Sequence, residues 1–135
     1  MKTCGIDIKG NEAIIVCLEG SSDQYKQVFT ELKKIKLEDA RNQEAVQSFY
    51  KKITDFFSGS NFDKIGIKER ATKGKFAGGP TSFKIEGLIQ NVVFPVILLH
   101  PQTINAKIKS MVLDTTKINQ YQSDALKVAY FLLDT

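Results

Sequence analysis

The sequence has few of the residues on which disulfide-linked, zinc-binding or histidine-dependent proteins rely. Its 135 residues include two cysteines, one histidine and no tryptophan. Two cysteines are too few for a disulfide framework, and one histidine does not complete a typical zinc site with them. His100 also lacks the partners of a catalytic triad, so we interpret it as a junction residue between a strand and a helix.

Long apolar runs are absent as well. No stretch approaches the roughly 20 residues that cross a bilayer, and no apolar signal segment follows Met1. We therefore expect a cytoplasmic protein. With 42% hydrophobic and 25% charged residues, residues 1–135 have the composition of a single soluble domain, too small for a two-lobed enzyme.

Two β-rich segments at the start of the chain predict a hairpin. Thr3–Lys9 and Glu12–Leu18 are separated by Gly10-Asn11, a pair of residues typical of a tight turn. A two-residue turn places Cys4 directly opposite Cys17, at the short end of disulfide geometry. Because cytoplasmic thiols stay reduced, we expect two buried free cysteines rather than a disulfide.

The rest of the chain alternates strands and helices. The sequence predicts a third strand within Tyr25–Leu37, a helix that Asp39 caps and that ends near Gly59, a strand Phe62–Lys68, a helix from Pro80, a strand Phe94–Leu99, a helix from Pro101 and a last helix over about Gln122–Leu133. Successive apolar residues over Ala13–Leu18 indicate burial on both sheet faces. These features predict an α/β fold with a five-stranded mixed sheet in the order 3-2-1-4-5. Strands 1–3 form an antiparallel meander, and helices cover both faces.

Three carboxylates stand where this topology would bring them together. Asp7 lies in the central first strand and points to the face opposite Ile6 and Ile8. Glu69 follows the fourth strand, at the carboxyl end where parallel sheets place ligand sites, and Asp124 opens the last helix. A divalent cation, Mg2+ or Mn2+, would relieve their mutual repulsion. Taken singly, a backbone hydrogen bond, an ion pair or a helix cap explains each residue at least as well.

The positive charge of the chain is concentrated in one segment. The net charge is +4, and residues 64–75, with five basic residues against one acid, carry all of it. This indicates a local site for an anionic partner. Around the loop Ala71–Gly79, we predict that Arg70, Lys73 and Lys75 neutralise phosphates and that Phe76 stacks on a base. The alternative is a solvated loop whose Phe76 packs into the core.

Three segments resemble, in order, the acidic motifs of RuvC-type Holliday-junction resolvases. They are Gly5–Asn11, Ile67–Arg70 and Asp124–Ala129. The order of strands and helices is also similar to the ribonuclease H-like fold of that superfamily. Over Lys68–Gly79 the sequence more closely resembles a small bacterial family defined only as a domain of unknown function.

The resemblance implies a divalent-metal-dependent nuclease that acts on structured or branched DNA. In such enzymes, carboxylates hold two metal ions that activate water and stabilise the leaving oxygen. By matching position, Asp7 bridges the metals, and Glu69 and Asp124 complete their ligands. Resolvases usually carry a further acid one helical turn before the residue that matches Asp124, where this chain has Tyr121. The resemblance also implies a homodimer.

Two other functions stay open. The same fold can bind nucleic acid through the basic loop without chemistry, and such binding would depend on salt but not on divalent ions. Asp7–Asn11 is also similar to the phosphate turn of sugar kinases and actin, although those proteins need a second lobe that 135 residues cannot supply.

Overall fold

A six-stranded sheet organises the part of the chain that the structure describes. The computed structural model describes residues 1–74, 78–109, 111 and 113–134. Within these residues the strands are β1 (Lys2–Lys9), β2 (Glu12–Gly20), β3 (Tyr25–Val28), β4 (Lys34–Lys36), β5 (Lys64–Lys68) and β6 (Val96–Leu99). The helices are α1 (Gln43–Ser58), α2 (Pro80–Gln90), α3 (Pro101–Ile108) and α4 (Ser123–Leu132), and a 3-10 turn, Gln120–Gln122, precedes α4.

The sheet is mixed, as predicted, but it has one strand more than the sequence indicates. Its main path runs β3-β2-β1-β5-β6, and β4 also pairs with β2. β1 is antiparallel to β2 and parallel to β5, which is parallel to β6. The two parallel pairs bring the carboxyl ends of β1, β5 and β6 to the same edge of the sheet.

The prediction of one third strand within Tyr25–Leu37 is wrong, because the segment forms β3 and β4. Both strands are antiparallel to β2, with Val28 opposite Cys17 and Lys36 opposite Glu12. If the pairing of Cys17 with Val28 continued in the same register, Glu12 would lie opposite residue 33. Glu12 instead lies opposite Lys36, so three extra residues lie between the two pairings. These extra residues cannot fit one continuous ladder, and the strand is therefore interrupted.

Helices cover both faces of the sheet, as predicted. α1 and α2 pack against the face that carries Ile6, Ile8 and Ile15, and α3 and α4 pack against the face that carries Ile14 and Val16. Side chains alternate along β1, so its odd-numbered residues face α4. No helix in the described part of the chain is both long enough and apolar enough to cross a membrane.

The first helix begins later than predicted, and its cap is Asn42 rather than Asp39. Asn42 Oδ1 accepts a hydrogen bond from the Ala45 N–H at 2.9 Å. Asp39 Oδ1 accepts one from the Arg41 N–H at 2.9 Å, in the turn before the helix. Both residue types favour helix caps, so their spacing alone does not decide between them. The predicted end of the helix is confirmed, since Gly59 is its C-cap.

Two further local predictions are confirmed. The hairpin register places Cys4 opposite Cys17, and both are buried free cysteines. His100 lies at the junction of β6 and α3, where its Nδ1 accepts a hydrogen bond from the Gln102 N–H at 3.1 Å. The histidine therefore caps a helix.

Candidate functional site

The first turn of α4 can lie over Asp7 because Gly5, the preceding residue on the same face of β1, has no side chain. A Cβ atom at Gly5 would lie 2.1 Å from the carbonyl oxygen of Ala125 and 2.4 Å from the nitrogen of Ala129. The absence of a side chain therefore allows the backbone of α4 to contact the strand. Thr3 Oγ1 fixes the helix further by donating to the Ala129 carbonyl at 2.8 Å. This packing brings Asp124, at the start of α4, near Asp7.

Asp7 is enclosed without a hydrogen-bond donor. It is 0% exposed, and no described residue donates a hydrogen bond to either carboxylate oxygen. Lys9, two residues further along the same strand face, has its Nζ 3.7 Å from Asp7 Oδ2. Burial raises the pKa of Asp7, and the negative charge of Asp124 raises it further against the opposing charges of Lys68, Lys9 and Arg70.

Lys68 is the β5 residue that faces the two carboxylates. Ile6 lies opposite Ile67 in the parallel ladder between β1 and β5, so the next position of β5 lies beside Asp7. Lys68 Nζ is 3.0 Å from Asp124 Oδ2. Its ammonium group therefore neutralises Asp124 and also acts on Asp7.

Asp124 is the better solvated and better paired of the two acids. Burial would raise its pKa, but the hydrogen bond and charge of Lys68, with the charges of Lys127 and Lys9, lower the pKa overall. Lys127 Nζ lies 3.8 Å from Asp124 Oδ1. The fold thus shifts the pKa values of Asp7 and Asp124 in opposite directions, as happens at many active sites.

The structure brings Asp7 and Asp124 together, but Glu69 does not join them. The Glu69 N–H donates to the Leu99 carbonyl at 2.9 Å, which continues the β5–β6 pairing by one residue. Successive side chains of a strand point to opposite faces, so the position after Lys68 is directed away from α4. The roles of Asp7, Glu69 and Asp124 as metal ligands stay predictions.

The donor set around Asp7 does not fit a two-metal centre. Within the described ranges, no three His, Cys, Asp or Glu side chains form a group able to hold a metal ion. Two carboxylates remain, and the ammonium of Lys68 already contacts one of them. Although a cation would use the unpartnered oxygens of Asp7, the neighbouring position carries a positive charge. This arrangement supports no metal-dependent step.

Only part of the predicted nucleic-acid loop lies in the described residues. The backbone N–H of Arg70 donates to Glu86 Oε2 of α2 at 3.1 Å. The positive charge of the Arg70 side chain is close enough to Asp7 to lower the pKa of that carboxyl. Lys73 is exposed, and Gly74 has a φ of +93°, a conformation that favours glycine. Lys75 and Phe76 lie outside the described residues, so their roles stay predictions.

Three basic residues of the site were not predicted to lie beside Asp7 and Asp124. With Arg70, they form a group that we call the basic cluster: Lys9, Lys68, Arg70 and Lys127. Two of them had a usable signal, since Lys9 shares a strand face with Asp7 and Lys127 is three residues from Asp124 on a helix. Lys68 belongs to the basic segment 64–75, but its place beside Asp7 had no signal, because the register of a parallel pair cannot be derived from the sequence.

Tyr121, three residues before Asp124, carries an aromatic ring rather than a carboxylate. It is partly buried, and Lys34 Nζ lies over the ring, 5.1 Å from its centroid. Its hydroxyl lies 3.4 Å from Asn119 Nδ2. These contacts provide no negative charge to the site.

Solved structures with the same fold include two of RuvC from Thermus thermophilus. One, in complex with a Holliday-junction substrate, has a TM-score of 0.67 and 13% identity over 96% of this chain and 90% of that chain. The other has a TM-score of 0.66 and 12% identity over 96% of this chain and 92% of that chain. The Holliday junction resolvase of fowlpox virus matches at 15% identity over 96% and 92% of the two chains, with a TM-score of 0.48. The two RuvC likenesses show that this chain has a RuvC-like, ribonuclease H-like fold.

Sequence comparison assigns the family. No curated protein matches the chain in sequence. One family model, described as "Protein of unknown function (DUF3010)", matches residues 1–132, a range that includes Lys68–Gly79. The chain therefore belongs to the family described as Protein of unknown function (DUF3010).

Proposed function

We propose that this protein binds structured or branched DNA through the basic cluster and does not cut it. The observation that carries the proposal is the charge balance of the site. Among the described residues, the four cations of the basic cluster act on two carboxylates, Asp7 and Asp124. The local field therefore attracts an anion, and the phosphate backbone of DNA is an extended anion that lysine and arginine neutralise.

The exposure of the cluster supports binding of a large partner. The side chains of Lys9 and Lys127 are 52% and 39% exposed, so their ammonium groups can reach phosphates outside the fold. Lys73 extends the positive surface beyond the end of β5. Because the RuvC structure with a Holliday junction shares this fold, branched DNA is the form of DNA to test first.

Fluorescence anisotropy with a labelled four-way junction and a linear duplex of the same sequence tests the proposal. If about four phosphates are neutralised, affinity should fall about a hundredfold between 50 and 200 mM salt. Affinity should be the same with magnesium and with EDTA. Absence of binding at the lowest salt, or loss of binding in EDTA, contradicts the proposal.

Variants locate the binding surface. The double variant Lys9→Gln with Lys127→Gln should bind the junction about tenfold more weakly, since two phosphate contacts are lost. Lys52→Gln, on the exposed side of α1, is the matched control and should bind as the wild type does. Asp7→Asn should leave affinity unchanged or increase it. Equal losses in the double variant and the control would place the DNA elsewhere.

A divalent-metal-dependent nuclease is the second candidate. It is favoured by one observation, the buried Asp7 carboxylate to which no described residue donates a hydrogen bond. Asp7, Glu69 and Asp124 are its predicted ligands for Mg2+ or Mn2+. Pure protein is incubated with a four-way junction and manganese. Cleavage that Asp7→Asn abolishes would replace the binding-only proposal, and absence of cleavage by the wild type rejects the nuclease.

A homodimer belongs to the same set of proposals and rests on the resemblance to resolvases. Light scattering of the pure protein, with and without junction DNA, measures whether one or two chains are present. A mass of one chain under both conditions contradicts the dimer.

A further inference from the structure

The side chain of Lys68 places a positive charge against Asp124 and near Asp7. Its Nζ is 3.0 Å from Asp124 Oδ2, and its charge also acts on Asp7. The side chains of Lys68 and Asp124 are 27% and 32% exposed, so water screens this ion pair less than it screens a surface pair. We infer that Lys68 is the built-in counter-ion of this site and keeps divalent metal ions out of it.

The fold fixes the backbone on both sides of the ion pair. Lys68 lies opposite Leu99 in the β5–β6 ladder, and β5 is also paired with β1. On the other side, Asp124 belongs to the helix that contacts Gly5 directly. The ammonium and the carboxylate are therefore brought together by the central strands of the sheet and by a packed helix, rather than by two mobile loops.

A divalent ion at this place would meet positive charge from three directions. Magnesium and manganese need several oxygen ligands within about 2.3 Å, and an ammonium bound to one of those oxygens competes directly for it. Lys9 and Lys127 add positive charge 3.7 Å from Asp7 and 3.8 Å from Asp124. The site therefore offers two acids to a metal while three lysines already neutralise them.

This inference deepens the proposed function, because it explains why DNA binding would need no metal. It rests on the proposed function for that link alone. It also identifies the change that would create a metal site. Lys68→Glu removes the ammonium and adds a third carboxylate beside Asp7 and Asp124. Lys68→Gln removes only the charge, and Lys68→Arg keeps it.

The test is a titration of DNA-free protein with Mn2+. Binding is measured as the loss of the electron paramagnetic resonance signal of free manganese. The wild type and Lys68→Arg should bind no more Mn2+ than the surface variant Lys52→Glu. Lys68→Glu should bind one Mn2+ at least about tenfold more tightly than the wild type, and Lys68→Gln should lie between them. Circular dichroism spectra establish that each variant is folded, and Lys68→Gln decides the result if Lys68→Glu is not.

Lys52→Glu on α1 is the control for the change in overall charge. It adds the same negative charge away from the site and should bind no more Mn2+ than the wild type. The inference is overturned if the wild type binds Mn2+ as tightly as Lys68→Glu, or if the folded Lys68 variants and Lys52→Glu behave alike. Because no DNA is present, failure of this test leaves the junction-binding result unaffected, and the reverse also holds.

Discussion

At Asp7 a carboxylate is enclosed between the sheet and α4 with no hydrogen bond from a described residue. Burial and the charge of Asp124 raise its pKa, so the ionised form is less favourable in the folded chain than in the unfolded chain. As pH falls towards the raised pKa, the folded state takes up the proton first and this destabilisation decreases. The contribution of Asp124 to stability has the opposite sign, because its pKa is lowered in the folded chain. It stabilises the fold at pH values above the ordinary carboxyl pKa, and this contribution is lost as pH falls through the pKa of the folded state.

We predict that Asp7→Asn increases the free energy of unfolding at pH 7 by about 1 kcal/mol, because it removes a buried negative charge. The difference from the wild type should shrink as pH falls towards the raised pKa of Asp7. Urea denaturation at several pH values measures both effects. Asp124→Asn is the comparison and should decrease stability at pH 7, because Lys68 loses its partner. A less stable Asp7→Asn variant at pH 7 would show that the carboxylate makes stabilising contacts.

The thiols provide a second prediction for single residues. Burial raises the pKa of Cys4 well above its ordinary value, and the hydrogen bond and charge of Cys17 add to the shift. Because the reactive thiolate of Cys4 is disfavoured and both cysteines are buried, we predict that neither cysteine of the native protein reacts with a thiol reagent such as DTNB. Both should react at once in denaturing urea. Rapid modification of the native chain would show that β1 and β2 separate readily.

Among the elements, the contact between β1 and α4 positions both acids of the site. We predict that Gly5→Ala decreases the free energy of unfolding by about 3 kcal/mol, since its Cβ would overlap the backbone of α4. Gly87→Ala is the matched control: no atom lies within 4 Å of its added Cβ, so the variant should gain about 0.5–1 kcal/mol in α2. Urea denaturation compares the two. Equal stability of the two variants would mean that α4 can shift away from the strand.

The strand pairings show what the sequence could and could not predict about the site. A two-residue turn fixes the register of the β1–β2 hairpin, and Cys4 therefore lies opposite Cys17 as predicted. β5 reaches β1 through a long connection that includes α1, and such a connection leaves the register free. The sequence accordingly predicts Glu69 as the acid that joins Asp7, whereas the register places Lys68 beside Asp7.

The presence of the helices was predicted better than the residues at which they begin. The apolar spacing of α1 was clear from the sequence, because Phe49, Ile53 and Phe57 recur on one face and are buried. Asp39 and Asn42 are both good caps, so only the structure distinguishes them. The division of the third strand had no local signal either, since it follows from the difference in register between β3 and β4.

Over the whole molecule, the charge excess is small but localised. The net charge of +4 equals the excess of residues 64–75, and this segment contributes Lys68 and Arg70 to the basic cluster. Lys9 and Lys127 join them from β1 and α4. If this surface binds DNA as proposed, it neutralises phosphates without reading bases, and its DNA affinity should depend steeply on salt and weakly on sequence.

Salt dependence therefore provides the prediction for the whole molecule. Lys73→Gln, in the exposed loop after β5, should reduce the slope of log affinity against log salt by about 1, because one phosphate contact is lost. Lys52→Gln has the same change in net charge and should keep the wild-type slope, since only contacts with phosphate release counterions. Anisotropy titrations of the four-way junction at four salt concentrations measure the slopes. If both variants change the slope equally, the change follows the net charge of the molecule, and Lys73 makes no phosphate contact of its own.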